Sequence, residues 1–549
     1  MQHKFSIKTI ALFSFILLFS FSNQAQNLTS QVDEYLLSHS QPNAPGASVL
    51  IAKDGKAIYK KAVGMANLEL NVPLSTDHVF EIGSITKQFT AVSILMLEEQ
   101  GKLKVEDNIT KYIPDYPTHG KTITIHHLLN HTSGIKSYTS MENFIKNART
   151  DMTPTELIDV FKNEPMDFDP GEKFLYNNSG YILLGHIIEV VSEQSYAEFV
   201  QDHIFSKLGM KSSYYGSMTK IIPNRASGYQ DKNGFVNADY LSLTLPYAAG
   251  SIMSTVDDLL IWQNAISANK LIKRSSLEKA INGSMLNNGE KIPYGYGWSQ
   301  GSVNGSDTYE HSGGIFGYVT NGIFLPNENI YVIALSNCDC SNVGVISKKI
   351  AAMAIGKPFP STKDAITLSN DKLKKWTGAY EFPDGAIRHI TVENDKIYSQ
   401  REGSTKLEIY PMSESKFIFE EGDITYSFSM KDGEKQAEFV ANETVIGNEI
   451  DKAPPAEVKE ITLAPEILKQ YIGKYELQPG FVIEVTVNGN QIFAQATGQP
   501  QFEIFAESED HFFLKVVPAK LVFSKDDNGK VNLATLYQGG QEIPGKKID

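Results

Sequence analysis

The spacing of apolar residues changes along this chain, and each change predicts an element. Two short runs rich in apolar and β-branched residues, Ser48-Val-Leu-Ile-Ala-Lys53 and Lys56-Ala-Ile-Tyr-Lys-Lys-Ala-Val63, flank Asp54-Gly55. Asp-Gly tolerates the left-handed backbone of a tight turn, so a hairpin is predicted here and a sheet begins. Phe89, Val92, Leu95, Met96 and Leu97 then recur at helical spacing, with Gly101 as the stop, so a helix is predicted to start near Ser84. From about Lys102 to Ile281 helical patterns dominate, broken by Pro114, Pro117, Pro154, Pro165 and Pro170, and Leu184, Ile187, Ile188 and Val191 share one helix face. Strand patterns return over Gly314 to Ser336, where Tyr318–Leu325 and Ile330–Leu335 flank the turn Pro326-Asn-Glu-Asn329. The sheet is therefore expected to take strands from both ends of one domain, with helices inserted between them.

After Lys357-Pro-Phe-Pro360 the pattern becomes short alternating segments with Gly and Asp turns, the mark of all-β modules. Leu373-Lys-Lys-Trp-Thr-Gly-Ala-Tyr-Glu381 returns as Leu468-Lys-Gln-Tyr-Ile-Gly-Lys-Tyr-Glu476, an offset of 95 residues that also aligns Val392 with Val487, Ile397 with Ile492, Gly403 with Gly498 and Phe428 with Phe523. Two copies of one β fold are the simplest account. The boundaries expected are 26–357 for the first domain, 358–452 for one module and 461–549 for the other, with Lys452-Ala-Pro-Pro-Ala-Glu-Val-Lys-Glu460 as linker. Trp376, Tyr380, Tyr471 and Tyr475 in these modules read as core rather than as sugar platforms.

Composition narrows the function. A net charge of -14 and a pI near 5.4, with no Lys/Arg cluster, argue against nucleic acid as a partner. His3, Lys4 and Lys8, the apolar run Ile10–Phe19 and small or polar residues to Ala25 predict a secretory leader over 1–25. Its apolar core is about half the roughly 20 residues a membrane span needs, so a periplasmic or secreted protein without stable membrane insertion is expected. Only Cys338 and Cys340 occur, which is no disulfide framework, and a bond between cysteines two apart would be strained, so they read as incidental.

Three segments carry candidate chemistry. Ser84 at a helix start has an ordinary reading as a cap, but a capping box wants Glu or Gln three residues on, where this chain has Lys87. One helical turn puts Lys87 within reach of Ser84, and a lysine neutralised by burial accepts a serine proton. Tyr176-Asn177-Asn178 follows the turn Asp169-Pro-Gly171 and precedes a helix; packing and capping are the plain readings, proton transfer and amide binding the chemical ones. His311-Ser312-Gly313-Gly314 is either a glycine bulge or a strand edge bare enough to offer a backbone N–H to a ligand. His127 and His131, four apart, invite a zinc reading, but the intervening Glu of H-E-x-x-H and a third ligand are missing.

Taken together and in order, Ser84-Ile-Thr-Lys87, Tyr176-Asn-Asn178 and His311-Ser-Gly313 resemble the serine β-lactamases and penicillin-binding proteins, specifically the class C β-lactamase-related branch with its esterases and D-aminopeptidases. Ile123–Gly134 and Ala249–Leu259 add to the likeness, which covers about residues 30–355. The resemblance implies an α+β fold: an antiparallel sheet flanked by helices, with a helical subdomain, followed here by two small barrel-like domains. It implies Ser84 as the acylated nucleophile, Lys87 and Tyr176 sharing general-base duty, and Asn178, His311, Ser312 and Gly313 as substrate-binding residues. The N–H groups of Ser84 and Gly314 would form the oxyanion hole. No metal or organic cofactor is implied. The expected function is an exported serine hydrolase cleaving an ester, amide or peptide bond in a small-molecule or peptide substrate, cell-wall fragments included. The competing expectation is a largely non-catalytic receptor for cell-wall ligands. Where related lactamases and carboxypeptidases carry Lys, this chain has His311, whose imidazole is mostly neutral at pH 7, so binding of a substrate carboxylate there is expected to be weak.

Overall fold

Asp54 and Gly55 take φ values of 51° and 74°, the two left-handed positions of a tight hairpin turn, and join β1 (Ala47–Lys53) to β2 (Lys56–Val63). The computed structural model describes residues 27–141, 144–232, 234–441, 444–455, 460–478, 481–497, 501–515, 519–526, 528–538 and 541–548. The expected leader lies outside them, as do Gly498 of the repeat and residues 456–459 of the linker.

β1 and β2 meet four strands from the far end of the domain, β3 (Ser299–Val303), β4 (Ser306–Ile315), β5 (Tyr318–Leu325) and β6 (Ile330–Ser336), in the order β3-β4-β5-β6-β1-β2. All neighbours are antiparallel, and β1 pairs with β6 from Ala47 opposite Ser336 to Lys53 opposite Ile330. The sheet thus closes the two ends of the domain on each other, as the patterning predicts.

The helix after the hairpin, α1 (Thr86–Glu99), is buried at every position from Thr86 to Leu97. It is a central helix, apolar all round except where a polar group has a partner. Phe89 stacks on Trp262 at 4.0 Å between ring centroids, and the Trp262 indole donates to Gln88 at 3.0 Å. Against α1 lie α2 (Asn178–Ser192) and the short helix Tyr247–Gly250, while α3 (Val256–Ser267) and α4 (Val343–Ala354) pack on the sheet. Between α1 and α3 the helices alternate with loops and with strands of two or three residues, too short to show a period in the sequence. One such strand, Ile252–Ser254, pairs with Phe80–Glu81 and so fixes the approach to Ser84.

Cys338 and Cys340 are bonded to each other, which corrects their reading as incidental. The tight turn after β6 makes this possible by folding the two Cα atoms to 5.1 Å, with the Asp339 carboxylate between them accepting from Gly317 N–H at 3.1 Å.

The chain divides between Pro358 and Phe359. The second part contains two closed eight-stranded antiparallel barrels, Gly378–Ile450 and Gly473–Lys547. In each, the repeated segment forms a short helix followed by the first strand, and Trp376, Tyr380, Tyr471 and Tyr475 are all buried in the barrel cores.

Candidate active site

Ser84 caps nothing. It sits inside a 3-10 turn, Gly83–Ile85, leading into α1, and neither that turn nor the helix has a side-chain cap. Its hydroxyl instead lies 3.1 Å from the Lys87 amine, one turn along. Two close approaches hold this turn against β4. A Cβ on Gly83, whose φ is 51°, would lie 2.9 Å from the Gly314 nitrogen, and one on Gly313 would lie 2.1 Å from the Ile82 carbonyl oxygen. Both positions therefore exclude a side chain. The Thr320 hydroxyl donates to the same Ile82 carbonyl at 2.9 Å, and Ile82 N–H donates to Ile252 O at 3.0 Å. Gly313→Ala is expected to cost about 1–3 kcal/mol of stability through this overpacking, as urea unfolding would measure.

Lys87 is fully buried. Its Nζ meets Ser84 Oγ at 3.1 Å, Asn178 Oδ1 at 2.8 Å and the Ala249 carbonyl at 2.9 Å, with the Tyr176 and Tyr181 rings 4.8 and 5.4 Å away. Burial with no carboxylate partner holds the amine well below its ordinary pKa. A neutral amine has two N–H donors and one lone pair. The two carbonyl oxygens only accept, so they take the donors, and the lone pair is left for the Ser84 hydroxyl proton. The carbonyl of Ala249 is presented by a backbone with Tyr247 at φ 40°, a conformation uncommon for a bulky residue and of the kind that clusters at functional sites.

Asn178 occupies the first position of α2. Its carbonyl holds Lys87, and its amide donates to the Thr139 hydroxyl at 3.0 Å. In this structure it positions the lysine, a task separate from the substrate-amide contact expected of it. Asn177, the N-cap, accepts from Gly180 N–H at 2.8 Å and donates to the Ile135 carbonyl. Tyr176 stands at the rim, about a third exposed (37 %), with its phenol end in the electrostatic reach of Ser84. Burial of that phenol raises its pKa, and the contact with Ser84 offsets this in part.

β4 pairs with β5 through Gly314 opposite Val319 without a bulge, so the bulge reading of the glycines fails. On its other side β3 pairs only as far as Glu310, and the turn bearing Ser84 lies beside the edge that follows. Ser312 and Gly314 are exposed along this edge, and a Cβ on Gly314 would meet nothing within 4 Å. A strand edge with exposed backbone is suited to an extended acyl group or peptide.

His311 faces the other way. It is buried, and both ring nitrogens are engaged, Nδ1 with the Ser312 carbonyl at 2.6 Å and Nε2 with the Tyr294 hydroxyl at 2.8 Å. A carbonyl only accepts, so Nδ1 carries the proton and Tyr294 donates to Nε2. Burial, with a smaller contribution from Lys87, pushes the imidazole pKa down to about 3. His311 is thus neutral and braces the strand beside Tyr176, whose ring centroid lies 6.2 Å from its own, with neither nitrogen left free for a substrate.

His127 and His131 have separate tasks. Thr124 N–H donates to His127 Nδ1 at 3.2 Å in a capping box, and Asn177 N–H donates to His131 Nδ1 at 3.1 Å. The His131 ring packs 4.3 Å from that of Tyr176. Thr139, Tyr181 and Tyr294 escaped sequence reasoning, and Ala249 entered it only as the first residue of the Ala249–Leu259 likeness. They come from four separate segments, and only the fold gathers them around Lys87 and His311.

The sequence model of the family described as Beta-lactamase matches residues 25–357. The chain belongs to the beta-lactamase family. Its second barrel, within residues 457–547, matches a domain of unknown function (DUF3471). Among curated relatives, a penicillin-binding protein of Bacillus subtilis (strain 168) is 32% identical over 409 residues, 70% of this chain and 90% of that protein. A D-aminopeptidase of Gluconobacter oxydans (strain 621H) is 26% identical, over 61% of this chain and 64% of that protein. Among solved structures, the octameric penicillin-binding protein homologue from Pyrococcus abyssi aligns with a TM-score of 0.54 and 28% identity, covering 77% of this chain and 99% of that one. The α+β domain followed by all-β modules, expected from the sequence, is thereby established for this beta-lactamase-family chain.

Proposed function

We propose that this chain is an exported serine hydrolase that cleaves an ester or amide bond through an acyl-Ser84 intermediate. The observation that carries the proposal is Lys87, buried without a counter-charge, its amine within hydrogen-bond reach of two carbonyls and of the Ser84 hydroxyl. Lys87 takes the serine proton as Oγ attacks the substrate carbonyl. The carbonyl oxygen becomes an oxyanion held by the N–H groups of Ser84 and Gly314. Tyr176, whose raised pKa keeps it a phenol, hands a proton to the leaving group. Water then cleaves the acyl-enzyme with the same groups in reverse. The assignment as a hydrolase also draws on the D-aminopeptidase among the relatives.

Neutral His311 leaves this part of the cleft without the cation that would hold a substrate carboxylate, which favours neutral acyl groups and D-amino-acid amides over β-lactams. His311→Lys is expected to speed acylation by carboxylate-bearing penicillins by about tenfold, one charge-assisted hydrogen bond; an unchanged or slower rate counts against the charge argument. The activity itself is tested by assaying p-nitrophenyl esters, D-amino-acid amides and muropeptides, each beside Ser84→Ala. Turnover that disappears in the variant is the expected result. Failure of all three classes, with no labelling by a serine-directed phosphonate, would sink the proposal.

A further inference from the structure

The two barrels are copies of one fold, which makes a position that differs sharply between them informative. In the first barrel Arg388 lies opposite Tyr380 on one neighbouring strand and opposite Arg401 on the other, and Ile390 lies opposite Ser399. In the second barrel Ile483 lies opposite Tyr475 and Ala496, and Val485 opposite Ala494. The registers superpose one for one, so Arg388 and Arg401 stand where the second barrel has Ile483 and Ala496. Tyr380 and Ile390, on the same face as Arg388, are core residues, so the Arg388 side chain is directed inward.

What surrounds it differs as well. The guanidinium carbon lies 4.2 Å from the centroid of the Phe439 ring and 5.0 Å from that of Phe382, in a cluster with Tyr426. The Tyr426 hydroxyl and Ser399 Oγ share a hydrogen bond of 2.9 Å beneath them. At the matching register positions of the second barrel, Leu521 and Leu536 replace Tyr426 and Phe439, and an aliphatic core fills the space. Among the described residues no carboxylate pairs with Arg388, and Arg401 has only Asp384, at 3.9 Å.

We infer that this rim of the first barrel, between Arg388 and Arg401, is a binding site for an oxyanion, carboxylate or phosphate, carried on an apolar body. An arginine stacked on rings would serve as a plug on its own. A plug does not account for Arg401 directly across the strand pair, because like charges opposite each other are unfavourable. An oxyanion between them turns the repulsion into a two-sided, charge-assisted clamp. The rings beside Arg388 then offer the apolar body a surface to lie on.

Titration of the full chain with benzoate and with phenyl phosphate, followed by calorimetry or ligand-observed NMR, tests this, with benzamide as the uncharged control. At least one of the two anions is expected to bind saturably while benzamide does not, and Arg388→Met and Arg401→Met are each expected to weaken binding at least tenfold. Arg401 is more than half exposed (56 %), so its variant keeps the test readable if Arg388→Met fails to fold. No saturable binding of either anion, equal binding of benzamide, or unchanged affinity in both variants would overturn the assignment.

Discussion

Ser84→Ala is expected to lose turnover of every substrate the chain accepts, on the order of a millionfold in kcat, since a nucleophile and its base act as one unit. The fold itself should be almost untouched. The Ser84 hydroxyl caps no helix, and the turn around it is held by Gly83, Gly313, Thr320 and Ile252, none of which needs that oxygen. The variant should therefore melt close to the unmodified protein while giving no covalent adduct, a combination that separates a lost nucleophile from a damaged fold.

Lys87→Met pushes activity and stability in opposite directions. Removing the proton acceptor is expected to lower kcat by about a hundred- to ten-thousandfold. The buried amine, though, is a burden on the fold. Its folded pKa lies well below the ordinary lysine value, so between the two the unfolded chain binds a proton that the folded chain does not. Stability then rises with pH through that window, and at neutral pH the lysine costs stability. Met fills much the same volume without that cost, so the variant is expected to melt higher and to lose this part of the pH dependence. Thermal melts of both proteins from pH 6 to 10 check it; a lower melting temperature across the range would mean that leaving the Asn178 and Ala249 carbonyls unpaired costs more than the buried amine does. The free-enzyme rate should likewise fall on the acid side, as pH drops through the lowered lysine pKa.

The parts of this fold with a strong period were legible in the sequence, and so was the closeness of Ser84 to Lys87. The hairpin at Asp54-Gly55 and the strands β5 and β6 lie where alternation and turn residues put them. β4 was mostly hidden. Its buried positions are Ser306, Thr308, His311 and Gly313, small or polar residues that switch from one face of the strand to the other, so no apolar alternation marks it. Ser84 and Lys87 were visible because one helical turn joins them. The Ala249 contact of Lys87 was not, since a backbone carbonyl has no side-chain identity, and neither was Thr139, which reaches the lysine only through Asn178. His311 shows the limit most clearly: its identity announced the missing cation, and only its burial behind Tyr294 shows that it braces the strand. The cysteine pair was misread because sequence separation alone does not show how tightly a turn can fold.

The central claim is that Ser84 carries the acyl group, and peptide mapping tests it most directly. The chain is treated with a serine-directed phosphonate, or with a p-nitrophenyl ester and a rapid acid quench, then digested and sequenced by mass spectrometry. The account predicts a single adduct on Ser84, absent from Ser84→Ala and strongly slowed in Lys87→Met. An adduct on any other residue, or one that persists in Ser84→Ala, would contradict it.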